Sequence, residues 1–251
     1  MLPTKKQQQK IGLDGLIVYL YGPPKIGKTT FALNLETKQK DVFFLDSEGG
    51  TQRLISETYA EQVRDWPVFV DFVKALHSEN HNFGVVVVDS VTELREHLVR
   101  HVCELRRAQD TSDPKFGGRA GWGKVASSWK NALNLLMAGP WATVFVDHAT
   151  QVETDMAGNR LVDPDKWKGP KKLTYFPTLS EKARFIIAKR SDLMIRAYKD
   201  ENGNRIATCT ELDGMGGQRG DVLPDVFPLD GEAFVGFFRA AYKKRSQDGD
   251  A

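Results

Sequence analysis

At 251 residues with 41% hydrophobic side chains, the chain is long enough to bury a core without covalent staples, and its two cysteines are too few for a disulfide framework. A formal net charge of +2 excludes a uniformly basic nucleic-acid wrapper, so any polyanion site must come from local clustering. No run reaches the ~18 apolar residues of a membrane span, and the first ten residues are polar, without the apolar core of a secretion signal. A cytoplasmic protein is expected, with no membrane partner, as one domain over 11–240 between polar tails at 1–10 and 241–251.

The first element is an apolar run from Leu16 to Tyr21, which predicts a buried strand. It runs into Gly22, and Gly22, Gly27, Lys28 and Thr29 keep the spacing G-x-x-x-x-G-K-[ST] ahead of a helix-compatible stretch, Thr30 to Lys38. Strand, glycine loop and helix in this order make a phosphate-binding P-loop, because glycines let consecutive backbone N–H groups and the helix N-terminus close around a polyanion. The nucleotide-binding segment is therefore Gly22, Pro23, Pro24, Lys25, Ile26, Gly27, Lys28, Thr29 and Thr30. Lys28 supplies a point charge to the β and γ oxygens, and Thr29 a ligand for Mg²⁺, so ATP and Mg²⁺ are the expected cofactors.

Asp41 to Asp46 predicts the next strand, and Trp66 to Leu76 a helix packed through Phe69, Phe72, Val73 and Leu76. Phe83 to Asp89 is a continuous apolar run suited to a central parallel strand, and its closing Asp89 has the Walker B form that orders Mg²⁺. The residue after it is Ser90, so a carboxylate that activates water has to come from another strand end. Glu48, in Asp46-Ser47-Glu48-Gly49-Gly50, is the candidate, because strand ends on one edge of a parallel sheet converge on the ligand crevice.

Ser90 to Gln109 repeats apolar residues at helical spacing, and 110–124, with Pro114 and four glycines, is expected to be a mobile loop. Val125 to Met137 predicts a helix and Trp141 to Asp147 a fourth apolar strand; Gln151 to Leu179 is a long polar insertion, part of a second mobile loop over 151–185. Asp192 to Tyr198 and Arg205 to Thr210 form a hairpin turning at Asn202-Gly203-Asn204. Strands alternating with helices predict an α/β fold: a mostly parallel, doubly wound sheet flanked by helices, with a C-terminal β-hairpin.

Two segments combine cations with rings on which bases can stack. From 166 to 190 there are eight basic residues against Glu181 alone, and Lys166, Trp167, Lys168, Lys171, Lys172 and Tyr175 are the DNA-binding candidates there. Lys115, Arg119, Trp122 and Lys124 make a smaller glycine-rich cluster.

These segments together resemble the RecA-like branch of P-loop ATPases. The likeness rests on Gly22 to Thr30, Asp46-Ser47-Glu48-Gly49, Val85-Val86-Val87-Val88-Asp89-Ser90 and Val144-Phe145-Val146-Asp147-His148, and spans about 15–230. It implies that His148 senses the γ-phosphate and couples it to a DNA-binding loop, with Glu48, Lys28 and His148 as the catalytic set. It also implies a homo-oligomer, ring or filament, whose site is completed by a cation in trans, with Arg205 and Arg219 as candidates. Gly121-Trp122 before a helix and the closing hairpin look like phage-encoded RecA-like single-strand annealing ATPases. That likeness implies single-stranded DNA and a phage or host single-strand binding protein as partners, in a bacterial host cell. The chain lacks the N-terminal polymerisation helix and large C-terminal domain of bacterial RecA, which leaves filament formation and strand exchange unsupported. Two other readings stay open: an ATP-gated assembly protein gripping a protein partner, and a small-molecule or nucleotide kinase.

Overall fold

A computed structural model of the chain describes residues 13–35, 40–53, 57–157, 160–210, 216–219 and 223–248. The tail expected at 1–10 and the last three residues of the one at 241–251 lie outside that set. The strands are β1 (Ile17–Gly22), β2 (Asp41–Asp46), β3 (Tyr59–Gln62), β4 (Phe83–Asp89), β5 (Ala142–Asp155), β6 (Lys171–Pro177), β7 (Leu193–Lys199), β8 (Arg205–Thr208), β9 (Gly217–Gln218) and β10 (Val226–Pro228). The helices are α1 (Lys28–Leu33), α2 (Trp66–Ser78), α3 (Val91–Leu105), α4 (Arg119–Leu136), α5 (Glu181–Ala188) and α6 (Gly231–Asp248).

The sheet runs β10-β8-β7-β1-β5-β4-β2-β3, and the six strands from β7 to β3 are parallel neighbours. Alternate side chains of each strand feed opposite faces. Ile17 and Tyr19 of β1 join one core with α2, α3, α4 and α5; Val18 and Leu20 join the other with α1 and α6. Burial on both faces is why β1 and β4 read as unbroken apolar runs. The observed fold class is the expected one, and β7 and β8 form the expected hairpin, with Lys199 opposite Arg205. Among the described residues no helix is long and apolar enough to cross a membrane.

Register places the functional strand ends level. Gly22 pairs with His148 across β1 and β5, Asp89 with Val146 across β4 and β5, and Asp46 with Asp89 across β2 and β4. Ser90 caps α3, which leaves directly behind Asp89.

Three expectations need correction, and one strand is unexpected. The segment 110–124 is not a loop throughout: α4 begins at Arg119, and Phe116 is fully buried. Gly121 is kept within that helix by crowding, since a Cβ there would lie 2.4 Å from the Phe116 carbonyl oxygen. The polar insertion at 151–185 is a hairpin followed by α5. In it β5 continues to Asp155 and pairs antiparallel with β6, Thr150 opposite Phe176 and Thr154 opposite Lys172. At the C-terminal end α6 continues to Asp248, into the segment expected as a tail. The edge strand β3 carries no sequence signal, because Tyr59-Ala60-Glu61-Gln62 has no apolar run.

Trp129 is the largest wholly buried side chain; it packs beside Trp66 at 6.0 Å between ring centroids and donates its indole N–H to the Ala183 carbonyl at 3.2 Å. Trp129→Ala is expected to destabilise the fold by about 3–5 kcal/mol, read as a lower urea midpoint.

Candidate active site

The carboxyl edge of the sheet opens onto a cavity of about 880 Å³ lined by Lys25, Gly27, Lys28, Thr29, Glu48, Asp89, His148 and Arg205, among others. Local geometry explains the glycines. Gly27 has φ of +110°, and a Cβ on Gly22 would lie 2.5 Å from the Ala197 carbonyl oxygen, so β1 approaches β7 too closely for a side chain at that turn. Lys28 is buried, and its ammonium donates to the carbonyls of Gly22 and Pro23, each at 2.9 Å. Burial lowers its pKa, the carboxylates of Asp89 and Glu48 opposing. The P-loop thus holds its lysine with backbone oxygens, within the cavity where a phosphate would accept from it.

Thr29 Oγ1 donates to Asp89 Oδ2 at 2.7 Å. Burial pushes the Asp89 carboxyl up to about 6, against the hydrogen bond from Thr29. An all-oxygen pair of hydroxyl and carboxylate fits a hard divalent cation such as Mg²⁺. The described residues hold no group of three or more His, Cys, Asp or Glu that could bind a metal unaided. The pair therefore suits an ion that takes its other ligands from phosphate and water.

Glu48 is held at both ends of its reach. Its own turn is fixed by Asp46, whose carboxylate accepts from the backbone of Glu48, Gly49 and Thr51 at 3.0, 2.7 and 2.9 Å and from the Thr51 hydroxyl at 2.6 Å. Its carboxylate accepts from Ser90 Oγ and from His148 Nε2, the latter at 2.9 and 3.1 Å to the two oxygens. The bond from His148 lowers the Glu48 pKa, and the same bond raises that of His148, with burial working against each shift. A buried His148 Nδ1 without an acceptor among the described residues limits how far the imidazole is driven to its charged form.

One group escapes sequence reasoning because it passes for the last residue of a strand. Asp147 is completely buried and accepts from Tyr19 Oη at 2.7 Å, Thr92 Oγ1 at 2.6 Å, His148 N at 2.8 Å and Leu179 N at 3.0 Å. Burial nevertheless raises its pKa and, with the carboxylate beside it, that of Tyr19. Asp46 and Ser90 likewise stand out in the sequence only as neighbours of Glu48 and Asp89. An Asp a few residues ahead of Gly-Gly is the one available signal for the turn.

The remaining candidates separate. Arg205 lines the cavity. Arg219 does not: it donates to Asp192 Oδ1 at 3.3 Å and to the Lys189 carbonyl at 3.2 Å, and at the opposite end of β1 the Asp192 N–H donates to the Ile17 carbonyl while Asp192 Oδ2 accepts from the Ile17 N–H. On the β5–β6 hairpin and in the connection between its strands, Lys166 pairs with Asp163 at 2.7 Å and Lys171 with Glu153 at 3.3 Å, so counting charge within 166–190 overstates the free cations. Lys168 is exposed, and Trp167 is 42% exposed with its N–H on the Pro170 carbonyl at 3.3 Å. Tyr175 accepts from Gln151 and lies beneath the guanidinium of Arg196 at 5.8 Å. In the other cluster Lys115, Arg119 and Lys124 are exposed, while Trp122 packs edge-on against Phe116 at 5.4 Å and receives Arg95 at 5.8 Å.

Comparison with known proteins finds that a family model described as an AAA domain matches residues 14–218. The chain belongs to that AAA domain family. Curated proteins give no match. Among solved structures, the crystal structure of the RadB recombinase is similar at a TM-score of 0.44 and 17% identity, over 82% of this chain and 93% of that one. The matched residues of the AAA domain include Lys28, Thr29, Glu48, Asp89, His148 and Arg205, all of which line the cavity.

The coupled shifts of Glu48 and His148 define a pH window. His148 is raised on folding, so its contribution is complete below the unfolded value, about 6.5, and is lost as pH rises through the native value. Glu48 is lowered on folding, so its contribution is complete above about 4.3 and is lost as pH falls through the native value. The pair supports the fold most between these limits. Glu48→Gln is expected to return the His148 imidazole toward its ordinary value in an NMR titration; an unchanged midpoint would show that the bond does not govern it.

Proposed function

We propose that this AAA domain is a RecA-like ATPase that uses Mg²⁺-ATP, binds single-stranded DNA and supports phage-type annealing or recombination as a homo-oligomer. The observation that carries the ATPase reading is the convergence of Lys28, the Thr29–Asp89 pair and the Glu48–His148 pair on one cavity.

Lys28 exchanges its two loop carbonyls for β and γ oxygens, and the P-loop amides hold the same phosphates. Thr29 and Asp89 would hold Mg²⁺, which would supply neutralisation of the phosphate charge. Glu48 orients the attacking water and accepts its proton on a carboxylate oxygen, while hydrogen bonds from His148 and Ser90 keep that carboxylate aimed and ionised. ADP and phosphate are the products. Since His148 also sits where β5 passes into its hairpin with β6, departure of the terminal phosphate reaches the hairpin through one residue. Lys168, Lys172, Trp167 and Tyr175 of that region supply the cations and rings that suit a single strand, and a host or phage single-strand binding protein suits such a role as partner.

A second reading draws on the exposed apolar side chains of the same region, Leu173 at 56% and Phe185 at 64%, which suit a protein partner instead of DNA. A kinase reading finds no comparable support.

Glu48→Gln is expected to retain ATP and lose about 10²- to 10⁴-fold in turnover, measured by phosphate release; turnover within a few-fold of the parent removes Glu48 as the base. Replacing Lys166, Lys168, Lys171 and Lys172 by Ala is expected to flatten log K against log salt by about 0.7 for each phosphate that the variant no longer neutralises. An unchanged slope, or no binding of oligonucleotide by the parent, favours the protein-partner reading.

A further inference from the structure

The cavity over the P-loop holds three cations, Lys25, Lys28 and Arg205, and its acids are engaged elsewhere. Asp89 is bonded to Thr29, and Glu48 to His148 and Ser90. Asp200, the acid in the turn just before Arg205, accepts from the backbone of Asn202 and from the backbone and side chain of Asn204. Among the described residues the Arg205 guanidinium has no hydrogen-bond or ion-pair partner, and the side chain is exposed to the cavity.

Its position is set by the sheet, not by a free loop. Arg205 opens β8 opposite Lys199 of β7, its carbonyl accepts from Leu229 N at 3.1 Å, and β7 lies parallel beside β1, with Arg196 level with Tyr21. From that mount the side chain lies along the P-loop: a Cβ on Gly27 would be 3.2 Å from Nη1, 3.7 Å from Cδ and 3.9 Å from Cζ. Gly27 therefore leaves room for the arginine as well as providing the loop's positive φ. A guanidinium placed with Lys28 in one cavity repels it until an anion enters, and a planar fork of donors is the side chain best matched to phosphate oxygens.

We propose that Arg205 is a phosphate-contact residue for the nucleotide bound by its own P-loop, acting in cis on the α/β side next to Gly27. The sequence likeness implies a finger reaching across a subunit boundary, but contact distance to Gly27 of the same chain makes that reach unnecessary. The assignment rests on the ATPase reading and adds to it a residue beyond the P-loop, the Walker B acid and Glu48.

The test is an equilibrium titration of the full chain with fluorescent ATP and ADP analogues, followed by an ATPase assay on mixed subunits. A charge-assisted hydrogen bond is worth about 1.5–3 kcal/mol, so Arg205→Ala is expected to weaken both nucleotides about ten- to hundredfold, with Arg205→Lys falling between. Without nucleotide the urea midpoint of Arg205→Ala should match the parent, which a merely structural role would not allow. In mixtures with the parent, turnover should fall in proportion to the variant's share, because each subunit serves its own site. Equal affinities of parent and Arg205→Ala, loss confined to ATP, or turnover falling faster than the variant's share would each overturn the assignment while leaving the ATPase reading intact. A parent chain that binds neither nucleotide overturns both.

Discussion

The carboxylate of Asp147 is the constraint on which the site's geometry depends. It sits wholly inside the molecule, where an unsatisfied charge is costly, and four donors from four separate places converge on it: Tyr19 of β1, Thr92 of α3, the backbone of His148 and the backbone of Leu179 before α5. Each bond offsets part of the desolvation, and together they fix where β1, β5 and α3 meet at the carboxyl edge. The P-loop leaves from β1 and His148 from β5, so a shift of either strand breaks a bond to a buried acceptor. That is a stiffer restraint than apolar packing alone, because hydrogen bonds are directional where the hydrophobic contacts around them are not.

From Asp147 the order passes outward from side chain to side chain. His148 is one peptide away, Glu48 is bonded to its ring, and Ser90 closes the arrangement from the start of α3. Ser47 adds a second tie between the same segments, its N–H on the Asp89 carbonyl at 2.8 Å and its hydroxyl on the Ser90 carbonyl at 2.7 Å. The base candidate is thus positioned by three strand ends at once, β2, β4 and β5, although it belongs to none of them. Rigid mounting matters here because a carboxylate that activates water must be aimed as well as ionised.

How much of this the sequence displays follows from what each residue does. Strands buried on two faces, such as Val85 to Val88, announce themselves, and so does a loop whose glycines answer to backbone shape. The β5–β6 hairpin stays hidden because its residues are mostly polar and it lacks the short turn sequence that marks tight hairpins; its buried side chains include the polar Thr154 and Thr174, hydrogen-bonded at 2.8 Å. The start of α4 stays hidden because glycine argues against helix on propensity, and there packing against Phe116 overrides propensity. Asp46 and Asp147 are invisible for a different reason. An acid that closes a strand looks the same whether it faces a ligand, caps a turn or takes buried donors, and only three-dimensional proximity separates Asp89 from the other two. The fold and the P-loop are therefore legible, while the supporting shell and the orientation of Arg205 are not.

The P-loop also has a back wall, and this bears on how nucleotide and hairpin communicate. Pro23, Pro24, Lys25 and Ile26 line a second cleft, of about 680 Å³, with Leu173 and Tyr175 of β6 and with Arg196 and Tyr198 of β7. The Arg196 guanidinium lies 4.6 Å from the Tyr198 ring centroid and 5.8 Å from that of Tyr175, so this wall is stiffened by stacked planar groups. Pro23 belongs to both sides: its carbonyl holds the Lys28 ammonium on one, and its ring borders the cleft on the other. The hairpin is consequently joined to the nucleotide cavity twice, along the backbone of β5 through His148 and across the loop through Pro23. A phosphate that drew Lys28 off the Pro23 carbonyl would leave that oxygen needing a new donor, and the cost of an unpaired carbonyl gives the loop a reason to move that does not involve His148.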